Sequence, residues 1–337
     1  MPDILCHLIC ADETTKTLND DVKEIILANK KVFNLGAQGP DLFFYYKPQP
    51  WLNSNQMGDN SEMIHTSMIN EFFINGAKRI KHAISMDPMG FYKSNVKTTA
   101  IHKEFAYLAG FLSHYALDTI GHPYIFYFSG VDSGHNHKYF ECVLDTLISD
   151  IYNGKKAKLH KTSNAVTLRK HESKLISLYL SKVIQDTFSK KIEVTEIARC
   201  FKDMSSTLKS LYDPISLKRG TYKLVDKASK SKGRIITATF PAKYNKDIDF
   251  LNIKKATWLH PCDDTIVYND SFLELFKSSV DYSEKLITSL SHYIVNTQTQ
   301  EAFEELIGNK KYDTGLKEDL EMRNENIITH FRDIYKV

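Results

Sequence analysis

Cysteine is scarce in this chain: five in 337 residues, at positions 6, 10, 142, 200 and 262. An odd, scattered set excludes a disulfide framework. Cys6 and Cys10 lie four apart with no second pair, so they do not make a zinc-ribbon spacing and read as small buried residues. Reduced thiols suit an intracellular protein. Charge of one sign is also missing, since 44 Lys and Arg face 41 Asp and Glu for a net +3. Composition therefore gives no case for a nucleic-acid binder, and the lysine-rich stretches 155–174 and 218–234 read as solvated loops and faces. The N-terminus has no basic region followed by an apolar core and a cleavage site; no signal peptide is expected, and a cytoplasmic location follows. No apolar run is long and clean enough to cross a membrane. The most apolar window, Phe105 to Phe128, contains His114, Asp118, His122 and Pro123 and reads as a buried core helix.

What is present is helical periodicity, with no repeat of fixed period. Hydrophobic residues make up 42% and charged residues 25%, ordinary for a globular protein with a sizeable core. Asn19 caps a helix with Asp20 and Asp21 in its first turn, running to about Leu35 with Gly36 as terminator. Further helices are predicted over 61–84, 99–121, 137–152, 171–188, 194–211, 270–297, 299–307 and 316–335. Pro123 disfavours helical geometry at His122, so the 99–121 helix should stop there. Residues 234–240 (RIITATF) are strand-like, with 222–225 as a partner, which predicts a small β-hairpin or a lid within 220–249. The expectation is an all-α bundle in which 1–215 carries the site and 216–337 forms a helical extension packed on it.

The stretch from Phe111 to Tyr124 is the most informative. It spaces His114, Asp118 and His122 four residues apart on an otherwise apolar helix, so they share one face. Ionisable groups in such a setting are costly unless paired or metal-bound. Along a continuous helix His114 and His122 stand about 12 Å apart, too far for one zinc with bonds of about 2 Å. They need different ions, and the two oxygens of Asp118 can bridge between them. His137 and Glu141 repeat the four-residue spacing. Asp41 follows Gly39 and Pro40 in a tight turn, while His65 and His7 lie in apolar surroundings. A lone histidine is more often a hydrogen-bonded core residue, so these two depend on the rest of the set. Nitrogen and oxygen donors without cysteine suit zinc at a hydrolytic site.

Four segments together carry a resemblance: Asn34 to Tyr45 (NLGAQGPDLFFY), His65 with its helix, His114 to Tyr124, and His137 to Glu141. In this order they resemble the zinc-dependent phospholipase C family, within the superfamily that also holds the S1/P1-type nucleases, over roughly the first 150 residues. The resemblance implies an all-α bundle of the phospholipase C / P1 nuclease type with two or three zinc ions. It implies Asp41, His65, His114 and Asp118 on the first ion, His122, His137 and Glu141 on the second, and His7 with Asp118 on a third. It also makes Asp41 the general base for the attacking water. His122 follows Asp118 by four residues, where the secreted enzymes have six, and Pro2 lies only five residues before His7.

The function expected on this basis is zinc-dependent hydrolysis of a phosphodiester, with a lipid or small-molecule substrate and a transient contact with a membrane surface. Tyr45, Tyr46 and Trp51 are candidates for lining a choline or acyl mouth, for stacking on a base, or for simple core packing. The alternatives are a nucleotide or single-stranded nucleic-acid phosphodiesterase, and a non-catalytic helical protein whose ions hold the bundle together.

Overall fold

The computed structural model describes residues 4–49, 57–131, 134–228, 234–240 and 244–329. Its helices are α1 (Ile4–Thr17), α2 (Asp20–Ala28), α3 (Lys30–Gly36), a 3-10 helix (Gly39–Tyr45), α4 (Gly58–Thr66), α5 (Ile69–Ala83), α6 (Gly90–Lys93), α7 (Ala100–Ser129), α8 (Gly134–Asn153), a short 3-10 turn (Ala157–Leu159), α9 (Ser163–Val166), α10 (Lys170–Phe188), α11 (Val194–Leu211), α12 (Arg219–Ala228) and α13 (Arg234–Thr237). A two-stranded antiparallel sheet, β1 (Trp258–His260) and β2 (Asp263–Tyr268), precedes α14 (Phe272–Ile294) and α15 (Gln300–Ile307). The architecture is an all-α bundle with a small hairpin. No helix among the described residues is long and apolar enough to cross a membrane.

The bundle is organised around α7, which is about 45 Å long at 1.5 Å per residue. Thr99 caps it by accepting from the amide of His102, and Gly130 (φ 94°) ends it. α7 is buried on nearly every side, as expected of a helix apolar all round. α3, α14, α1, α5, α8 and α10 pack along it. Its N-terminal half anchors one core, with α2 to α5, α10, α11 and the end of α14; its C-terminal half anchors another, with α1, α8, Trp258 and the start of α14. His114, Asp118 and His122 fall where these two cores meet.

α7 does not stop before Pro123 as predicted, but continues to Ser129. A proline inside a helix costs about 3 kcal/mol. Burial of Tyr124, Ile125 and Phe128 beyond it recovers about 1.5–3 kcal/mol for each side chain, which decides the matter. The carbonyl of Thr119, which Pro123 deprives of an amide four residues on, lies against Gly315; an added Cβ at Gly315 would stand 2.3 Å from that oxygen.

Other expectations are corrected. The helix expected over 19–35 is two, broken at Asn29, whose side-chain amide donates to the carbonyls of Ile25 and Lys97. The helix expected over 61–84 breaks at Met68 (φ 52°), because the amide of Tyr312 takes the carbonyl of His65. The strand-like residues 222–225 and 234–237 are helical, and the hairpin lies at 258–268, where Trp258 stacks on Tyr268 at 4.2 Å. The helix expected over 316–335 is absent from the described part of that span. There the amides of Arg323 and Asn324 donate to Pro261, and those of Asn326 and Ile328 to Tyr127 and Phe128 at the end of α7. Residues 330–335 lie outside the described residues.

One partly buried carboxyl on α7 gives a test of the packing alone. Burial raises Glu104 to about 7, with Arg79 opposing. A carboxyl raised in the fold costs nothing below pH 4.5; its cost grows between 4.5 and 7 and is complete above 7. Glu104→Gln should therefore leave stability unchanged at pH 4 and raise it at pH 8. The gain should be of order 2 kcal/mol once solvent screening of a partly exposed site is allowed for. Thermal melts at the two pH values check this, and an equal effect at both contradicts it.

Candidate metal centre

The fold brings together all eight residues expected to bear ligands. Their candidate donor atoms form three groups, each within 4.8 Å: His7, His114 and Asp118; Asp41, His65 and His114; and His122, His137 and Glu141. α7 supplies the central row, α1 supplies His7, the 3-10 helix Asp41, α4 His65, and α8 His137 and Glu141.

Local chemistry explains how each side chain is aimed. Three histidines commit Nδ1–H to a main-chain carbonyl and turn Nε2 inward: His114 donates to Ala37 (3.2 Å), His65 to Ser61 (2.7 Å) and His122 to Tyr312 (3.1 Å). This is the arrangement that fixes the tautomer of metal-binding imidazoles. Gly39 (φ 51°) makes the turn before Asp41 and presses on the His114 ring, where a Cβ would stand 2.1 Å from Cδ2. His7 stacks on His114 with ring centroids 4.2 Å apart. α1 is held by Asp145, whose carboxylate accepts from the amides of Leu5 and Cys6 at 2.9 and 2.8 Å.

Donor atoms on a tetrahedral zinc with bonds of about 2.0–2.2 Å stand about 3.3 Å apart. The Asp118 oxygens lie 2.9 Å from His114 Nε2, 3.3 Å from His7 Nε2 and 3.9 Å from His65 Nε2. His65 Nε2 is 3.5 Å from Asp41 Oδ1, and His137 Nε2 is 2.9 Å from Glu141 Oε1. Yet both Asp118 oxygens, Asp41 Oδ1, His7 Nε2, His114 Nε2 and His122 Nε2 are buried with no hydrogen-bond partner among the described residues. Buried polar atoms without partners are rare in folded proteins. Lone pairs converging at these spacings fit zinc.

The electrostatics agree. Burial pushes His122 down to about 4, with Asp118 and Asp313 opposing, and lowers His114 and His137 as well. Neutral imidazoles keep their lone pairs for a cation. Burial would raise Asp118, but His114, His122 and His7 outweigh it and hold the carboxylate well below its usual range. Burial raises Asp41 to about 7, against the pull of His114.

His114 and His122 fall in different groups, as their spacing along the helix requires. One nitrogen binds one ion, so His114 serves only one of the two groups that contain it. The centre opens through Asp41, His137 and Glu141 into a cavity of about 390 Å³. Phe44, Tyr45, Met204, Leu208, Leu211 and Phe240 give it apolar walls, and Lys138 and Lys158 line it as well. Tyr45 thus reaches the cavity. Tyr46 does not line it, and Lys47 and Arg199 sit over its ring at 5.0 and 5.7 Å. Trp51 and Pro2 lie outside the described residues.

Sequence reading missed four contributors. Asp145 extends the 137/141 ladder by one more step of four, a signal that was available. His160, which lines the cavity, had no such pattern. Tyr312 and Asp313 reach His122 from 190 and 191 positions along the chain, beyond any local pattern.

A family model described as Zinc dependent phospholipase C matches residues 6–206. No curated protein and no solved structure matches the chain.

Proposed function

The chain belongs to the zinc-dependent phospholipase C family, and on that premise we propose that it hydrolyses the phosphodiester bond of a phospholipid at a centre of two or three zinc ions. The observation that carries this reading is the junction of the convergent ligand groups with an apolar-walled cavity at Asp41, His137 and Glu141. Asp41, His65, His114 and Asp118 would hold the first ion, and His122, His137 and Glu141 the second. His7 and Asp118 would hold a third. Bound zinc supplies Lewis-acid polarisation of the phosphoryl group and acidifies water enough for attack at neutral pH.

The chain's own groups do the rest. Asp41, which lines the cavity, orients the attacking water and takes its proton. Lys138 and Lys158 face the phosphate charge, while Phe44, Met204, Leu208 and Leu211 accept the acyl region. Of the residues considered for stacking on a base, Tyr45 lines the cavity, whereas Tyr46 lies off it under two cations of the chain.

The zinc-loaded protein is expected to release a phosphorylated head group from phospholipid vesicles and to leave short single-stranded oligonucleotides intact. Cleavage of oligonucleotides alone would overturn the lipid assignment in favour of a nuclease. We place the contact with the lipid surface on α12 and the segment that joins it to α11. Ile215, Leu217 and Leu224 are 75%, 77% and 69% exposed there. Lys218, Lys223 and Lys227 lie among them in sequence, and Leu211 and Tyr212 of the adjoining wall line the cavity. Replacing the three apolar residues by Ser should lower turnover on vesicles at least about tenfold, the loss of about 1.4 kcal/mol of interfacial binding, and spare a soluble short-chain substrate. Equal losses on both substrates would contradict this placement.

A further inference from the structure

The family match ends at residue 206, yet two proposed ligands are seated by a loop more than a hundred residues further on. Residues Lys311–Leu316 form a closed loop, in which the amide of Lys311 donates to Leu316 and that of Gly315 to Lys311, both at 2.8 Å. His260 holds it from the hairpin, with Nε2 at 2.8 Å from the carbonyl of Thr314. From this base Tyr312 makes two main-chain bonds to the centre. Its amide donates to the carbonyl of His65 at 3.1 Å, and its carbonyl accepts from His122 Nδ1 at 3.1 Å. Its fully buried ring packs 4.9 Å from His65 and 5.9 Å from His114. Asp313 adds a carboxylate oxygen 3.7 Å from the same His122 Nδ1.

We propose that this loop is a positioning element of the zinc centre: it selects Nε2 of His122 as the ligand atom and fixes the end of the helix that carries His65. The inference rests on the proposed reading of the site as a zinc centre. Its consequence is that the region after residue 216 is integral to metal binding, although the proposed ligands all precede it. The two irregularities noted above belong to the same contact. The chain breaks between α4 and α5 at Met68, where Tyr312 takes the carbonyl of His65, and the carbonyl of Thr119 freed by Pro123 is covered by Gly315.

Gly315 is the point at which to test the loop. It has φ 66°, and any Cβ would stand 2.3 Å from the Thr119 oxygen, a main-chain atom that cannot swing aside. Gly315→Val should displace the Tyr312 carbonyl from His122. Outer partners of this kind are worth about 10–100-fold in metal affinity. Competition of the full-length protein with a graded chelator should show one zinc weakened by that factor, with helix content and the tightest zinc unchanged. A folded Gly315→Val protein that binds every zinc with wild-type affinity overturns the proposal. A second measurement needs no variant: nitrogen-15 spectra of the histidine rings in the zinc-loaded wild type. They should show His122 with a protonated, slowly exchanging Nδ1 and zinc on Nε2; zinc on Nδ1 overturns the proposal even if the variant fails to fold. Both measurements read zinc binding, so they stand apart from whether the substrate is a phospholipid.

Discussion

Asp118→Ala is expected to release at least one zinc ion and to reduce hydrolysis by at least about 10³-fold, a loss of about 4 kcal/mol of transition-state stabilisation. No other side chain in the centre faces so many partners. Three imidazoles (His114, His7 and His65) have Nε2 within 2.9–3.9 Å of its carboxylate, His122 stands beside it with Nδ1 at 3.9 Å, and the residue is completely buried. Among the described residues neither oxygen accepts from a main-chain or hydroxyl donor, and with His114 Nδ1–H committed to Ala37 the short approach of His114 Nε2 fits a cation between the groups. Loss of an outer partner costs about 10–100-fold in metal affinity, and loss of a ligand bridging two ions should cost more. Asp118→Asn separates charge from shape, since the amide fills the same space with no net charge. It should also lose metal, though less than Asp118→Ala. Metal analysis beside turnover checks the series, and a folded Asp118→Ala protein with full metal content and full rate would contradict it.

Gly110→Val is expected to give the largest loss of stability. α3 and α7 cross at a pair of glycines: a Cβ on Gly110 would stand 2.1 Å from the carbonyl oxygen of Phe33, and one on Gly36 would stand 2.1 Å from that of Tyr107. Both obstacles are main chain, so the helices must separate. Overpacking in a tight core costs about 1–3 kcal/mol, and an obstruction by backbone lies at or above the top of that range. A thermal midpoint lower by at least about 5 °C follows. The damage should also reach the site, because α3 leads into the turn that carries Gly39 and Asp41 against His114. Zinc affinity should therefore fall along with stability. A variant with an unchanged midpoint would show that the crossing is looser than the distances indicate.

The parts of the site that sequence made legible are those whose geometry is local. His114, Asp118 and His122 lie on one helix, so their spacing fixes a shared face, and the apolar surroundings mark the three as unusual. Gly39 and Pro40 announce the turn at Asp41 for the same reason, since each restricts its own backbone. Pro123 misled because a local penalty was weighed without the burial on either side that exceeds it. Residues 222–225 and 234–237 misled because β-branched side chains tolerate a helical turn wherever packing favours one, whereas the hairpin at 258–268 was concealed by Pro261 at its bend. The continuous helix expected at 61–84 failed for a non-local reason, the amide of Tyr312 arriving at the carbonyl of His65. That contact and the bond from His122 to Tyr312 join segments far apart in the chain, and no periodicity in the sequence encodes either.

The most direct test of the central claim is anomalous diffraction at the zinc edge from crystals of the full chain grown after zinc loading. The account predicts one peak among Asp41, His65, His114 and Asp118 and a second among His122, His137 and Glu141, with any third between His7 and Asp118. A single peak, or peaks away from these side chains in a folded protein, would contradict it.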